Sequence, residues 1–286
     1  MEQILITGAR GLIGSHLVPA LTPDYCVDRL LRPEHAAHGI ALDLGHEWQE
    51  DQLPTQVDNV IYLAQSEHFR NFPAQAEDML QVNTLSALRL LEYARQHGCK
   101  RFIYASSGGV YGPSEAALRE DKQLRVSDNL GFYLSTKLCA EILLENYSGL
   151  MDIIILRFFF VYGPGQRPDM LIPRLIQRVR QGQPIVLQGS DGIRLNPTWV
   201  GDAVMALQQA VKLTGSHKIN VGGPEVLSLH EIGLEIGRQL DCEPIFTCQA
   251  GEPAHLVADI SRQQELLGAP QSGFAQGLSR LLSARL

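Results

Sequence analysis

Tyr133 and Lys137 stand four residues apart inside Tyr133–Tyr147, a stretch with apolar residues at helical spacing. On a helix such a pair shares one face. A phenol with an ordinary pKa of about 10 is a poor base at neutral pH. An adjacent ammonium stabilises the phenolate, which makes proton exchange with a substrate hydroxyl feasible. The plainer reading is a solvated surface pair. Ser106 and Ser107 open the run Ser106-Ser107-Gly108-Gly109-Val110-Tyr111-Gly112, after a predicted strand at Arg101–Ser106. Hydroxyls at the carboxyl end of a parallel strand face the crevice where open α/β sheets bind ligands. Ser107 is therefore a candidate to bond a reacting oxygen beside Tyr133, against the simpler reading of a Ser-Gly turn.

Thr7-Gly8-Ala9-Arg10-Gly11-Leu12-Ile13-Gly14 follows the first apolar run and opens a helical pattern. Glycines at 8, 11 and 14 permit a tight turn, let backbone approach a pyrophosphate and set that anion on a helix N-terminus. These residues predict a dinucleotide cofactor. An acidic residue roughly 20 positions on would bond the ribose 2′-OH of NAD, whereas Arg suits a 2′-phosphate. Arg32 lies 18 positions after Gly14, and Arg10 sits within the turn. The two guanidiniums favour NADP(H) over NAD(H). In the competing reading both are surface arginines, and Asp28 or Asp43 takes the ribose.

The elements that must hold these residues follow from hydropathy. Ile4–Thr7, Val57–Ala64, Arg101–Ser106 and Ile153–Phe159 read as strands, most of them apolar on both faces. Such runs belong to a parallel sheet covered on each side. Leu12–Leu21, Gln75–Gln96 and Tyr133–Tyr147 read as helices between them. The alternation implies right-handed crossovers and an α/β, doubly wound fold. Beyond Gly163-Pro164-Gly165 the pattern is helical at Pro173–Gln181, Val200–Val211, Leu229–Gln239 and Phe274–Leu282, with short strands at Ile185–Leu187 and Ile219–Val221. Residues 1–163 are expected to form the dinucleotide-binding domain and 164–286 mainly a smaller C-terminal α/β substrate lobe, with segments near 199–223 returning to the sheet.

The 286 residues carry 24 Lys+Arg against 31 Asp+Glu, a formal charge of −7, and are 45% hydrophobic. That composition excludes disorder and collagen-like repeats. An acidic balance without basic clusters predicts no nucleic-acid or anionic-membrane partner. Cys26, Cys99, Cys139, Cys242 and Cys248 show no CxxC pair, so buried free thiols in a reducing cytosol are expected. Histidine spacing suggests no metal. Met1-Glu2 runs straight into Ile4-Leu5-Ile6, which predicts no secretory leader and a cytoplasmic location.

Together, the glycine turn, Ser106-Ser107…Val110-Tyr111-Gly112, Tyr133…Lys137, Val161-Tyr162-Gly163-Pro164-Gly165-Gln166, Val200-Gly201-Asp202 and Asn220-Val221-Gly222-Gly223-Pro224 give a pattern along most of the chain. It resembles the extended short-chain dehydrogenase/reductases, in their NAD-dependent epimerase/dehydratase branch with a Rossmann fold. The resemblance implies that Tyr133 is the acid/base, that Lys137 lowers its pKa and holds the nicotinamide ribose, and that Ser107 orients the substrate oxygen. It further implies that Asp43 and Leu44 meet the adenine, that Leu63, Ala64 and Gln65 line the pyrophosphate and ribose, and that Ser106 touches the cofactor. Phe158 and Phe159 would wall the nicotinamide, and Asn83 would be a structural tie. Relatives often dimerise through two long helices per subunit. Leu138, Ile142 and Leu143 are candidates for such a homodimer surface, with packing on the sheet as the default.

The sequence also departs from the pattern. Dehydratases of the family carry acids where this chain has Gly108 and Gly109, and GDP-fucose synthase-like enzymes carry a Cys near the catalytic Ser. Phe160 replaces an Asn that holds the nucleotide diphosphate, and Arg194 stands one position before the usual Arg, with Leu195 in its place. Ser107, Gly108, Phe160 and Arg194 are thus the candidate substrate contacts. The expected activity is NAD(P)-dependent hydride transfer at a secondary alcohol or ketone of a nucleotide sugar, as a 4-epimerase or 4-ketoreductase rather than a 4,6-dehydratase. An NADPH-dependent ketoreductase of a non-nucleotide carbonyl compound and a non-catalytic cofactor sensor are the competing readings.

Overall fold

A computed structural model describes residues 1–124 and 130–284. The chain begins β1 (Gln3–Thr7), α1 (Leu12–Leu21), β2 (Cys26–Leu31), β3 (Ile40–Ala41), β4 (Asn59–Tyr62), α2 (Ala76–Leu80), α3 (Ser86–Gln96), β5 (Arg101–Ser107), α4 (Phe132–Glu145) and β6 (Asp152–Phe158). It continues β7 (Val161–Tyr162), α5 (Leu171–Arg180), β8 (Ile185–Gln188), β9 (Arg194–Leu195), β10 (Thr198–Trp199), α6 (Val200–Ala210) and β11 (His217–Val221). The last elements are β12 (Leu227–Ser228), α7 (Leu229–Leu240), β13 (Phe246–Gln249), α8 (Ser261–Leu266) and α9 (Phe274–Ser283).

Seven strands form the main parallel sheet in the order β11-β6-β5-β4-β1-β2-β3. The order reverses at β1, whose neighbours are β2 on one side and β4 on the other. Ligands of open α/β sheets bind outside the carboxyl ends at such a switch point. Ile4, Leu5 and Ile6 of β1 are wholly buried, as are Val60 and Ile61 of β4 and Phe102 and Ile103 of β5. Leu90 and Leu91 of α3 and Ala140 and Leu144 of α4 share one core with Leu5, Val60 and Phe102. Each such fully buried large aliphatic side chain is worth about 1.5–3 kcal/mol relative to exposure.

Two compact units emerge. One comprises Met1–Val110, Leu124–Arg157 and Val204–Ile219; the other Tyr111–Gln123, Phe158–Ala203 and Asn220–Leu286. The division falls at Arg157 rather than at 163, and Tyr111–Gln123 joins the second unit. Inside that unit Asn196 donates to the Gly223 carbonyl at 3.2 Å and accepts from the Ala258 amide at 2.7 Å. Asp202 accepts from the Gln271 and Ser272 amides, both at 3.0 Å.

Other expectations need correction. The long helix Gln75–Gln96 is interrupted by a π-helical turn at Gln81–Leu85. All five cysteines are free, yet only Cys99 is buried. Ile142 and Leu143 are 55% and 38% exposed, so they do not pack on the sheet. Among the described residues no helix is long and apolar enough to cross a membrane.

Candidate active site

The glycine turn forms because the chain must leave β1 and enter α1 within a few residues, beside the segment that follows β4. Gly8 adopts φ +66, and a Cβ there would stand 2.8 Å from the Ala64 nitrogen. A Cβ on Gly14 would run into the Gly8 carbonyl oxygen. Thr7 Oγ1 accepts from the Leu63 and Ala64 amides, both at 3.1 Å, and locks the two turns together. Gly11 caps α1 with no side-chain bond, and no acid lies in the first helical turn. Bare backbone and free N–H groups therefore line this cradle, which fits a dinucleotide pyrophosphate. Leu12 and Ile13, half-buried, begin the helix.

The edge beyond β2 is differently built. Arg32 Nη1 lies 3.0 Å from the Glu67 carboxylate. Arg10 is exposed within the turn. Asp28 pairs in register with Leu5, three residues short of the end of β2, and accepts from Gln3, so it is not placed as the ribose carboxylate. Asp43 accepts from the Gly45 amide at 2.9 Å, with His46 Nε2 at 3.6 Å. Leu44 is buried in the core.

On the other side of the switch point, α4 presents Tyr133. Its hydroxyl donates to Gln65 Oε1 at 2.8 Å, and its ring lies 5.5 Å from that of Phe69. Lys137 is 2% exposed; its Nζ donates to the Ala105 carbonyl at 3.0 Å and lies 4.9 Å from the centre of the Tyr104 ring. Burial holds the Lys137 ammonium down to a pKa of about 7, with Glu141 pulling the other way. Burial likewise raises the Tyr133 phenol well above its ordinary range. That burial opposes the lowering expected from Lys137. Ser107 Oγ accepts from the Gly109 amide at 3.1 Å. A Cβ on Gly109 would lie 2.8 Å from Leu134 Cδ2, so Leu134 fills the space that an acidic side chain would need. Gly108 beside it is buried.

Ser106 donates its hydroxyl to Glu141 at 2.5 Å. Glu141 and Arg157, 0% and 1% exposed, were absent from the sequence-based site, although they sit directly behind it. Arg157 Nε bonds both carboxylate oxygens, at 3.0 and 3.1 Å. The available signals were an acid one helical turn after Lys137 and a lone Arg inside an apolar strand. Asn83 and Thr84 of the π turn tie α4 in place: Asn83 Nδ2 donates to Thr136 Oγ1 at 3.0 Å, and Thr84 Oγ1 to the Thr136 carbonyl at 2.8 Å.

The remaining candidates lie in the second unit. Phe159 is buried and stacks on Tyr111 at 6.3 Å, with Phe158 beside it in sequence. Phe160 has φ +42, a left-handed conformation that Asn tolerates and bulky residues rarely adopt. Arg194 is exposed and lines a cavity of about 520 Å³ with Asp191, His230, Glu231 and His255. Its amide donates to His255 Nδ1 at 3.0 Å. Leu195 is wholly buried, as alternation along a strand requires of the neighbour of an exposed residue.

Comparison with known proteins adds direct information. The sequence model of the NAD dependent epimerase/dehydratase family matches residues 4–222. The "Uncharacterized UDP-glucose epimerase YtcB" of Bacillus subtilis (strain 168) is 30% identical over 313 residues, covering 97% of this chain and 96% of its own. MoeE5, solved in complex with UDP-glucuronic acid and NAD, superposes with a TM-score of 0.85 at 32% identity, over 99% of this chain and 98% of its own. The UDP-glucuronic acid 4-epimerase from Bacillus cereus, also solved with UDP-glucuronic acid and NAD, gives 0.85 at 28% identity, over 99% and 98%.

These relatives overturn the expectation of NADP(H): the cofactor of the family and of its solved structures is NAD. The physical reason is visible at Arg32. Its charge is answered by Glu67, and a 2′-phosphate brought to that guanidinium would meet the carboxylate as well.

Proposed function

The chain belongs to the NAD dependent epimerase/dehydratase family, and from that premise we propose that it is an NAD-dependent UDP-sugar 4-epimerase, acting on UDP-glucuronate or UDP-glucose. One observation carries the choice of epimerisation over dehydration. The acid/base set beside the glycine cradle holds a single phenol, Tyr133, while Gly108 and Gly109 occupy the positions where dehydration needs acids, with Leu134 against the second. Elimination of water requires a further proton donor at that place; inversion at C4 does not.

NAD, when bound, supplies a hydride acceptor that can return what it takes. Gly8, Gly11 and Gly14 would hold its pyrophosphate, and Lys137 would hold the nicotinamide ribose. Tyr133 removes the C4 hydroxyl proton during oxidation and returns a proton to the same oxygen during reduction. Ser107 bonds that oxygen and keeps it beside the phenol. Lys137, near the midpoint of its titration at neutral pH, favours the phenolate when charged.

The test is incubation of the NAD-loaded protein with UDP-glucuronate or UDP-glucose, followed by proton NMR of the sugar. The expected product is the C4 epimer, formed without net NADH. Tyr133→Phe should cut the rate by roughly 10²–10⁴-fold while sparing NAD binding. A 4-keto-6-deoxy product, or full activity in that variant, would refute the reading.

A further inference from the structure

The Tyr133 hydroxyl donates to a side chain whose position is fixed from both ends. The amides of Leu63 and Ala64, just before Gln65, both donate to Thr7 Oγ1 at 3.1 Å. The amide of Ser66, just after it, donates to Asn83 Oδ1 at 3.0 Å. Asn83 also holds Thr136 of α4, one helical turn from Tyr133, so the same buried amide positions both partners. Phe69, four residues on, lies against the Tyr133 ring. Gln65 itself is exposed, and its Oε1 receives the phenol proton at 2.8 Å.

We propose that Gln65 is a positioning residue for the Tyr133 proton: its amide oxygen accepts from the neutral phenol, and its amide nitrogen, brought round by half a turn of the terminal torsion, donates to the phenolate. The inference rests on Tyr133 being the acid/base and adds to it a partner suited to both protonation states. An amide holds an acceptor and a donor on one planar group. A carboxylate at the same place would accept from the phenol but repel the phenolate, and an alkyl group would do neither. Such a partner adds to Lys137, whose Nζ donates to the Ala105 carbonyl, in supporting a phenolate that burial disfavours. Among the described residues, the other charged and titratable groups on the elements around Tyr133 are Lys137, Cys139, Glu141 and Glu145 on α4, Arg101 and Tyr104 on β5, and Glu67, His68 and Arg70 on the Gln65 segment. No bond to Gln65 is formed or broken, and no proton is transferred to it.

The experiment compares wild type, Tyr133→Phe, Gln65→Met and Gln65→Glu, each saturated with NAD, by the pH dependence of kcat for UDP-sugar epimerisation. Gln65→Met keeps the length and removes both hydrogen-bonding functions; kcat should fall roughly tenfold. Gln65→Glu should move the acidic limb of the kcat profile upward by about one pH unit. Because the Gln65 side chain is exposed, both variants should melt with wild type, which separates loss of bonding from loss of fold. Full activity in Tyr133→Phe would remove the reading beneath the proposal. Loss in Tyr133→Phe, with Gln65→Met and Gln65→Glu matching wild type in rate and limb, would overturn the proposal alone. A lower rate with an unmoved limb in Gln65→Glu would also overturn it, since a purely structural role predicts that pattern.

Discussion

Lys137→Met replaces the buried ammonium with an uncharged chain of similar length, and its effect on stability should depend on pH in a way that can be worked from the structure. Burial lowers the folded-state pKa from an ordinary 10.5 to about 7. Between those values the unfolded chain binds a proton that the folded protein does not. Stability conferred by the wild-type residue therefore falls as pH falls, by about 1.4 kcal/mol per unit. From pH 9 to pH 7.5 that amounts to roughly 2 kcal/mol. The loss is complete below the folded pKa and absent above the unfolded one. The Met variant lacks the group, so its advantage over wild type should widen by this amount across the interval. Against it stand the lost bond to the Ala105 carbonyl and the contact with the Tyr104 ring, which are nearly independent of pH over this range. The assay is urea unfolding of both proteins at pH 7.5 and 9, reading the difference of differences. A gap that stays constant, or that narrows as pH falls, would refute the view that this lysine is held in the fold at the expense of stability.

Two further changes probe the frame around the site. Glu141→Gln removes the charge that answers the buried Arg157 guanidinium; urea unfolding should show a loss of about 3–5 kcal/mol. A loss below 1 kcal/mol would mean that the pair is solvated rather than buried. Gly14→Ala sets a methyl group against the Gly8 carbonyl oxygen and should abolish measurable NAD binding by calorimetry. Unchanged affinity in that variant would separate the cradle from the cofactor.

The centre of the sheet was legible because β1, β4, β5 and β6 are mostly apolar on both faces, as a covered parallel sheet asks. Strand ends were less so. Val57–Ala64 reads as one apolar run, but β4 stops at Tyr62, because the next two amides turn to the Thr7 hydroxyl instead of a neighbouring strand. The π turn at Gln81–Leu85 was hidden for a related reason. Asn83 and Thr84 fit a helical pattern as well as any polar residues, and only their partners across the fold, Ser66 and Thr136, show why the helix loosens there. Hydropathy describes which face a residue prefers and carries no information about where a side-chain hydrogen bond will end.

The same limit explains why the Tyr133–Lys137 spacing was legible and the cofactor charge was not. Tyr133 and Lys137 are bound to one helix, and spacing alone puts them on one face. Arg32 and Glu67 are 35 positions apart and meet only because β2 and β4 flank the same strand. A guanidinium counted alone argues for a phosphate; the same guanidinium beside a carboxylate argues against one. At the end of β2 the charge that a 2′-phosphate would meet is therefore the sum over Arg32 and Glu67, residues that the sheet order brings together. Any sequence rule that counts from the glycine turn along β2 alone will miss the opposing charge carried by the loop after β4.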